Sequence, residues 1–241
     1  MHLVIDIGNT STKVALTDNG AVIRQIRATL DDENVLAMSR TGGIVSGACS
    51  TVRDLTQQEQ EFISSLPFPF IRLDYRTPLP LTLDYNTPQT LGPDRIAAAV
   101  GAWGQFPGRN LLVIDAGTAI TYEVVTSSGK YIGGNISPGK DLRFKALHAF
   151  TDKLPLVSPC GETPLLGYST DTAVRSGVMN GIRNEILGFV SQMETEYDSL
   201  LVFFTGGDAE KFEIPINNRI FADDFLIMEG LDLICRFNEK N

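Results

Sequence analysis

The sequence predicts an α/β fold made of two related lobes, with mixed sheets and flanking helices. Three observations carry that prediction. Apolar strand-like runs alternate with helical patterns along the 241 residues, the order that gives layered α/β domains. "LVIDIGNT" (3–10) returns as "LVIDAGT" (112–118), in each case an apolar run, an Asp at its end and a turn holding Gly and Thr. A unit repeated in this way signals two lobes of one design. Hairpin-type turns follow both copies, so the sheets hold antiparallel as well as parallel pairs. The expected division is an N-terminal lobe over 1–110 and a C-terminal lobe over 111–241.

Taken in order, "HLVID" (2–6) reads as a buried strand, and "TKVALT" (12–17) alternates so as to pair with it. Asn19-Gly20 supplies a tight turn into "VIRQIRA" (22–28), a third strand. A short helix is expected near 32–40 and a strand at "GIVSGA" (43–48). Over 56–66, Thr56 is an N-cap ahead of a polar, helix-forming body. "FPFIRLD" (68–74) is a further strand, followed by a proline-containing loop from 76 to 93. Pro93 then opens a helix over "DRIAAAVGAWGQF" (94–106), because a first turn tolerates the missing N–H.

Residues 111–125 repeat the strand–turn–strand pattern, "SSGK" (127–130) turns the chain, and "YIGG" (131–134) extends again. A helix around 140–149 and a loop with Pro155, Pro159 and Pro164 lead to a long amphipathic helix from Ser169 to about Tyr197. Its apolar face is Val174, Val178, Ile182, Ile186, Val190 and Met193, three or four residues apart. "LLVFFTGGDA" (200–209) is a strand ending in a glycine turn, and a helix near 224–237 closes the chain.

Composition narrows the function. With 43% hydrophobic residues there is ample material for a core. The net charge of −9 argues against a nucleic-acid-binding or anionic-membrane surface. An anionic ligand must therefore be held by local donors. Cys49, Cys160 and Cys235 are odd in number and far apart, which suggests reduced thiols and a cytoplasmic location. His2 and His148 are too few for a zinc site, and no apolar run reaches the roughly 18 residues of a membrane span.

Two stretches carry chemistry. In "DIGNTSTK" (6–13), Asp6 ends a strand, Gly8 lets backbone approach a ligand, and Asn9, Thr10, Ser11, Thr12 and Lys13 offer donors and a positive charge. Phosphoryl transfer needs these parts, and the second copy at Asp115 suggests two walls of one phosphate site. No GxxxxGK[ST] or GxGxxG run is present, so neither a P-loop nor a dinucleotide fingerprint applies. In "YNTPQTLGPDR" (85–95), Asp94 and Arg95 sit in the first helical turn. A carboxylate there is favoured by the helix N-terminus, and it is also placed to accept a proton from a substrate hydroxyl. Arg95 beside it suits a substrate carboxylate. "TGGD" (205–208) could pack glycine against a nucleoside, while Gly177 and Gly181 suit an internal contact or a dimer seam equally.

Together, "DIGNTSTK", "YNTPQTLGPDR", "DAGTAITYE" (115–123), "GGNISPG" (133–139) and "TGGD" resemble type III pantothenate kinases over nearly the whole chain. These belong to the superfamily of actin, heat-shock ATPases and sugar kinases. The resemblance implies the duplicated actin-like (ribonuclease H-like) ATPase fold and transfer of the γ-phosphoryl group of ATP to pantothenate, the first step of coenzyme A synthesis. It implies ATP contacts from Asp6, Ile7, Gly8, Asn9, Thr10, Ser11, Thr12, Lys13 and Thr118, with Asp6 near a divalent cation such as magnesium. Asp94 becomes the general base. Tyr85, Gly92, Pro93, Asp94, Arg95 and Thr170 become the pantothenate pocket. Thr170 is chosen over Thr172 because Ala173 and Gly177 fall in register with it, although an N-cap role would also suit it. The resemblance further implies a monovalent cation, potassium or ammonium, at Asp115, and a homodimer. Glu123 stands where the family has Asp, and Lys140 where it has a more apolar residue. Two alternatives stay open: a small kinase of the same superfamily acting on another alcohol, and a noncatalytic regulatory relative.

Overall fold

The computed structural model describes residues 1–212, 214, 220–222 and 224–240. In chain order the elements are β1 (His2–Ile7), β2 (Thr12–Asp18), β3 (Ala21–Arg27), α1 (Glu33–Ser39), β4 (Ser46–Thr51), α2 (Gln57–Ser64), β5 (Phe70–Arg72), β6 (Thr82–Leu83), α3 (Pro93–Gln105), β7 (Leu111–Ala116), β8 (Ala119–Val125), β9 (Lys130–Pro138), α4 (Lys140–Ala149), α5 (Thr170–Glu196), β10 (Leu201–Thr205), β11 (Ile220–Ala222) and α6 (Leu226–Asn238). Their strands form two mixed sheets, ordered β3-β2-β1-β4-β5 and β11-β10-β7-β8-β9-β6.

Contacts divide the chain into two units. The first holds 1–111, 123–133 and the C-terminal helix; the second holds 112–122 and 134–224. The sequence division at 110/111 placed α6 in the C-terminal lobe, whereas α6 packs against α3 and β1 in the first unit.

In the first unit β1 is central, antiparallel to β2 and parallel to β4. Side chains alternate across a strand, so Leu3, Ile5 and Ile7 enter an apolar cluster with Val35 and Met38 of α1 and Phe62 of α2. His2, Val4 and Asp6 point to the other face. There His2 Nδ1 is 2.7 Å from Asp232 Oδ1, and Asp232 also accepts from Thr17 Oγ1 and Arg236 Nε. Burial works against the Asp232 carboxylate, but these donors outweigh it and hold its pKa below the ordinary range.

Local signals decide several boundaries. Thr56 caps α2 through a reciprocal box with Glu59. The strand expected at 43–48 begins at Ser46, because β4 follows β1 in parallel register from His2↔Ser46 to Thr51↔Ile7. The one expected at 68–74 shrinks to Phe70–Arg72, where Pro67 and Pro69 offer no ladder donors.

In the second unit, the Val174, Val178, Ile182, Ile186 and Val190 stripe of α5 is buried. Ser169 caps that helix through a box with Thr172, so Thr170 is not its N-cap. No helix among the described residues is long and apolar enough to cross a membrane.

Helices α3 and α6 cross with backbone against backbone. A Cβ on Gly230 would fall 1.9 Å from Ala97 O, and one on Gly101 2.2 Å from Leu226 O. Gly230→Ala should therefore force the helices apart and cost about 2 kcal/mol or more. Gly188, on an exposed stretch of α5 with nothing within 4 Å of a built Cβ, should instead gain roughly 0.5–1 kcal/mol as Ala. Urea titration of the two variants checks both signs; a Gly230→Ala protein as stable as wild type contradicts the close crossing.

Candidate active site

The first unit gathers Asp6, Lys13, Asp94, Arg95 and Tyr85. Asp6 stands opposite Lys13 in the β1–β2 pair and opposite Ser50 in the β1–β4 pair. Its Oδ1 accepts from Ser50 Oγ at 2.6 Å. Burial pushes the Asp6 carboxyl above its ordinary pKa, against the pull of the Ser50 hydrogen bond and the Lys13 charge. The following turn closes through Gly8 N donating to Ser11 O at 3.0 Å. A Cβ on Gly8 would approach that oxygen to 3.1 Å, which makes the turn tight, and Asn9 and Thr10 face solvent at its tip.

Asp94 is the second residue of α3, after the N-cap Gly92 and Pro93. A Cβ on Gly92 would lie 2.4 Å from Asp94 Oδ1, so a side chain at 92 would displace the carboxylate. That oxygen accepts from the Arg95 N–H at 2.9 Å. Burial raises the Asp94 carboxyl to about 6; the Arg95 N–H opposes the shift, and the charges of Asp6 and Glu123 add to it. A carboxyl so shifted is ionised at neutral pH and still a useful base.

Arg95 is buried and bound edge-on. Its Nε lies 2.8 and 2.9 Å from the two oxygens of Glu123, and its Nη2 lies 2.7 Å from Oε2. Glu123 is fully buried and also accepts from Tyr131 Oη at 2.5 Å. Tyr131 meets Tyr85 edge to face, with ring centroids 5.9 Å apart. Burial and the Glu123 carboxylate push the Tyr131 phenol well above its usual range, so it stays a donor. The sequence singled out Arg95 and Tyr85 but not Ser50 or Tyr131, and it noted Glu123 only as a departure from Asp.

The second unit gathers Asp115, Thr118 and the 205–208 turn. Gly206, at φ +100°, packs on Asp115: a Cβ there would fall 2.3 Å from its Oδ1 and 2.4 Å from Ala116 O. Asp208 N donates to Ala116 O at 2.9 Å, and Gly139 N to Thr118 O at 3.0 Å. The Thr118 side chain is exposed. Thr170 is exposed at the start of α5, while Thr172 is buried within the helix cap. Among the described residues no group of three or more His, Cys, Asp or Glu side chains converges as a metal cage.

A family model described as type III pantothenate kinase matches residues 2–192. A type III pantothenate kinase of Phocaeicola vulgatus is 45% identical over 242 residues, covering 100% of both chains. The chain belongs to the type III pantothenate kinase family. Among solved structures, the activator of 2-hydroxyisocaproyl-CoA dehydratase from Clostridium difficile superposes at a TM-score of 0.57 with 14% identity, covering 100% of this chain and 97% of that one. A ROK family glucokinase from Streptomyces griseus superposes at 0.53 with 12% identity, covering 100% and 99%. At such identities these likenesses speak to the fold, which is the actin-like ATPase and sugar-kinase fold.

The buried ion pair can be tested directly. Glu123→Gln leaves the Arg95 guanidinium buried without a counter-charge and should cost about 3 kcal/mol or more. A chemical-denaturation midpoint close to wild type would show that the pair does not hold the start of α3.

Proposed function

We propose that this protein phosphorylates pantothenate with ATP, giving 4′-phosphopantothenate and ADP, the entry step to coenzyme A. The observation that carries the proposal is the Asp94 carboxylate, held at the start of α3 and raised to about 6 beside a buried arginine. In the reaction, Asp94 accepts the proton of the primary hydroxyl as that oxygen bonds to the γ phosphorus. The bond from phosphorus to the bridging oxygen breaks, and ADP leaves. Arg95 and Tyr85, with Gly92 and Pro93, line the pantothenate side; Thr170 is a further proposed substrate contact. Arg95 gives its Nε edge to Glu123, which fixes the orientation of the guanidinium proposed to meet the pantothenate carboxylate.

The segment from Asp6 to Lys13 serves the ATP phosphates, and Thr118 is a further proposed ATP contact. The tight Gly8 turn supports this, since backbone can approach an anion there. A divalent cation fits Asp6, a half-buried carboxylate that accepts from the Ser50 hydroxyl; when bound, it neutralises charge on the phosphate oxygens. A monovalent cation, potassium or ammonium, fits the oxygen-rich turn at Asp115. For a homodimer, the supporting feature is an apolar groove of about 740 Å³ between α4 and α5, lined in part by Leu147, Phe150, Gly177 and Val178. Phe150, 87% exposed, lies at its edge, and among the described residues nothing beyond the helix's own backbone and the adjacent residues comes within 4 Å of a Cβ built on Gly177 or Gly181. The proposed location is the cytoplasm.

The decisive assay is ATP-dependent phosphorylation of pantothenate; turnover of another alcohol with rejection of pantothenate would sink the proposal. Asp94→Asn should lose on the order of 10²–10⁴ in kcat. The wild-type rate should fall as pH drops through about 6, the value to which the Asp94 carboxyl is raised. Stability moves in the opposite sense. The folded state binds the Asp94 proton more tightly than the unfolded chain, so the Asp94 contribution is complete below about pH 4 and lost as pH rises through about 6. Asp94→Asn should therefore be as stable as wild type or more so at pH 8, by on the order of 1–2 kcal/mol. A melting curve alongside the rate separates loss of the base from loss of the fold.

The cation role is tested by assaying in sodium or choline buffer and then adding potassium or ammonium. Stimulation in wild type and its absence in Asp115→Ala is the expected result; stimulation surviving in the variant would remove Asp115 from the role.

A further inference from the structure

Lys140, the first residue of α4, has a side chain only 5% exposed. Its Nζ lies 2.8 Å from Asp141 Oδ1 and 3.2 Å from Asp208 Oδ2. Burying an ammonium group is unfavourable unless it is paired, and here one partner belongs to the same helical turn while the other comes from 68 residues further along the chain. Burial alone would lower the Lys140 pKa, but the two carboxylates outweigh it and hold the ammonium charged.

The ion pair joins segments that already touch through their backbones. The α4 N-cap, Gly139, is pressed against the 115–118 turn: it donates to Thr118 O, and a Cβ there would fall 2.1 Å from Gly117 O. The 205–208 turn meets the same strand end from elsewhere, with Gly206 on Asp115 and Asp208 N bonded to Ala116 O. Three turns, at 115–118, 139–140 and 205–208, thus share one small region of the second unit. The Lys140–Asp208 contact ties the second of them to the third by side chains. Asp208 is mostly buried and also accepts from Lys211 Nζ at 2.7 Å, so its carboxylate is held from two sides.

We infer that Lys140 is a positioning residue for the nucleotide: it fastens the 205–208 turn to the start of α4, both of which bond to the backbone of the 115–118 turn, and so fixes that turn, whose Thr118 the kinase reading gives to ATP. The inference rests on the kinase reading above and adds a residue outside the segments from which that reading was built. The expected effect is on binding, because the ammonium is spent on the two carboxylates.

The test uses the full-length protein with ADP and magnesium in titration calorimetry, beside steady-state kinetics with ATP. Lys140→Leu should weaken ADP binding by about tenfold and raise KM for ATP to match, with kcat within about twofold. Lys140→Arg, which keeps the charge, should restore most of the affinity. Asp208→Asn should reproduce the loss, and the double variant should bind no worse than either single one, because each change removes the same tie. Asp141→Asn is the control: its carboxylate sits on α4 itself, and ADP affinity should stay within about twofold of wild type. ADP affinity unchanged in Lys140→Leu, or lost equally in Asp141→Asn, overturns the inference while leaving the kinase reading intact. A wild-type protein that binds no ADP takes both down. If Lys140→Leu does not fold, the contrast between Asp208→Asn and Asp141→Asn decides the matter in the same way.

Discussion

The buried pair between Arg95 and Glu123 is the contact on which the arrangement of the first unit turns. A guanidinium with almost no solvent access must have its charge matched where it lies, and the matching carboxylate comes from β8, 28 residues away in sequence. Tyr131 of β9 donates to the same carboxylate. The start of α3 is thereby held at a fixed place against two strands, and Asp94, one residue earlier, inherits that place. The pair also sets the charge balance around Asp94. Burial is the leading cause of the raised pKa; the Arg95 N–H and charge oppose it, and the Asp6 and Glu123 charges add to it. A lone arginine would have pulled the Asp94 carboxyl down and weakened it as a base. Gly92 completes the arrangement by leaving space that a side chain would take from the carboxylate.

Strand β1 distributes polar chemistry by its period of two. Its odd-numbered residues from Leu3 to Ile7 all enter the apolar cluster under α1 and α2. Its even-numbered residues present His2 at one end and Asp6 at the other. The His2 end is structural: the ring, Thr17 and Arg236 together satisfy Asp232 and dock α6 on the sheet. The Asp6 end carries a carboxylate that accepts from the Ser50 hydroxyl and has Lys13 across the strand pair. One strand thus anchors the closing helix and presents the candidate metal carboxylate, and a one-residue slip in register would exchange both for the apolar set.

Much of this was legible because it is local. The two strand ends marked by Asp, the Asn19-Gly20 turn, the Thr56 cap, Pro93 opening α3 and the α5 stripe are all decided within a few residues. What sequence could not give is long-range pairing. Glu123 looked like a departure within a cation motif, and only the fold brings it to Arg95. Lys140 had no reading until Asp208 arrived beside it. The docking of α6 on α3 depends on two glycines, Gly101 and Gly230, that carry no signal until their helices cross. The β4 boundary was missed for the same reason, since parallel register with β1, not local propensity, decides where that strand begins.

The two copies of the strand-and-turn motif have also diverged in how they supply positive charge. In the first copy Lys13 follows within the hairpin and stands directly across from Asp6. The eight residues after Asp115 contain no lysine or arginine, and the second turn closes sooner, Gly117 N reaching Ala119 O where Gly8 N reaches Ser11 O. A shorter turn leaves less backbone to shape an anion site. The second copy recovers shape from outside the motif, with Gly206 filling in against Asp115 and α4 abutting the turn at Gly139. Those borrowed parts already bond to the turn through their backbones, Gly139 N to Thr118 O and Asp208 N to Ala116 O. The buried Lys140 ammonium adds a side-chain tie between α4 and the 205–208 turn, so positive charge enters the second copy from outside its hairpin, where in the first it comes from within.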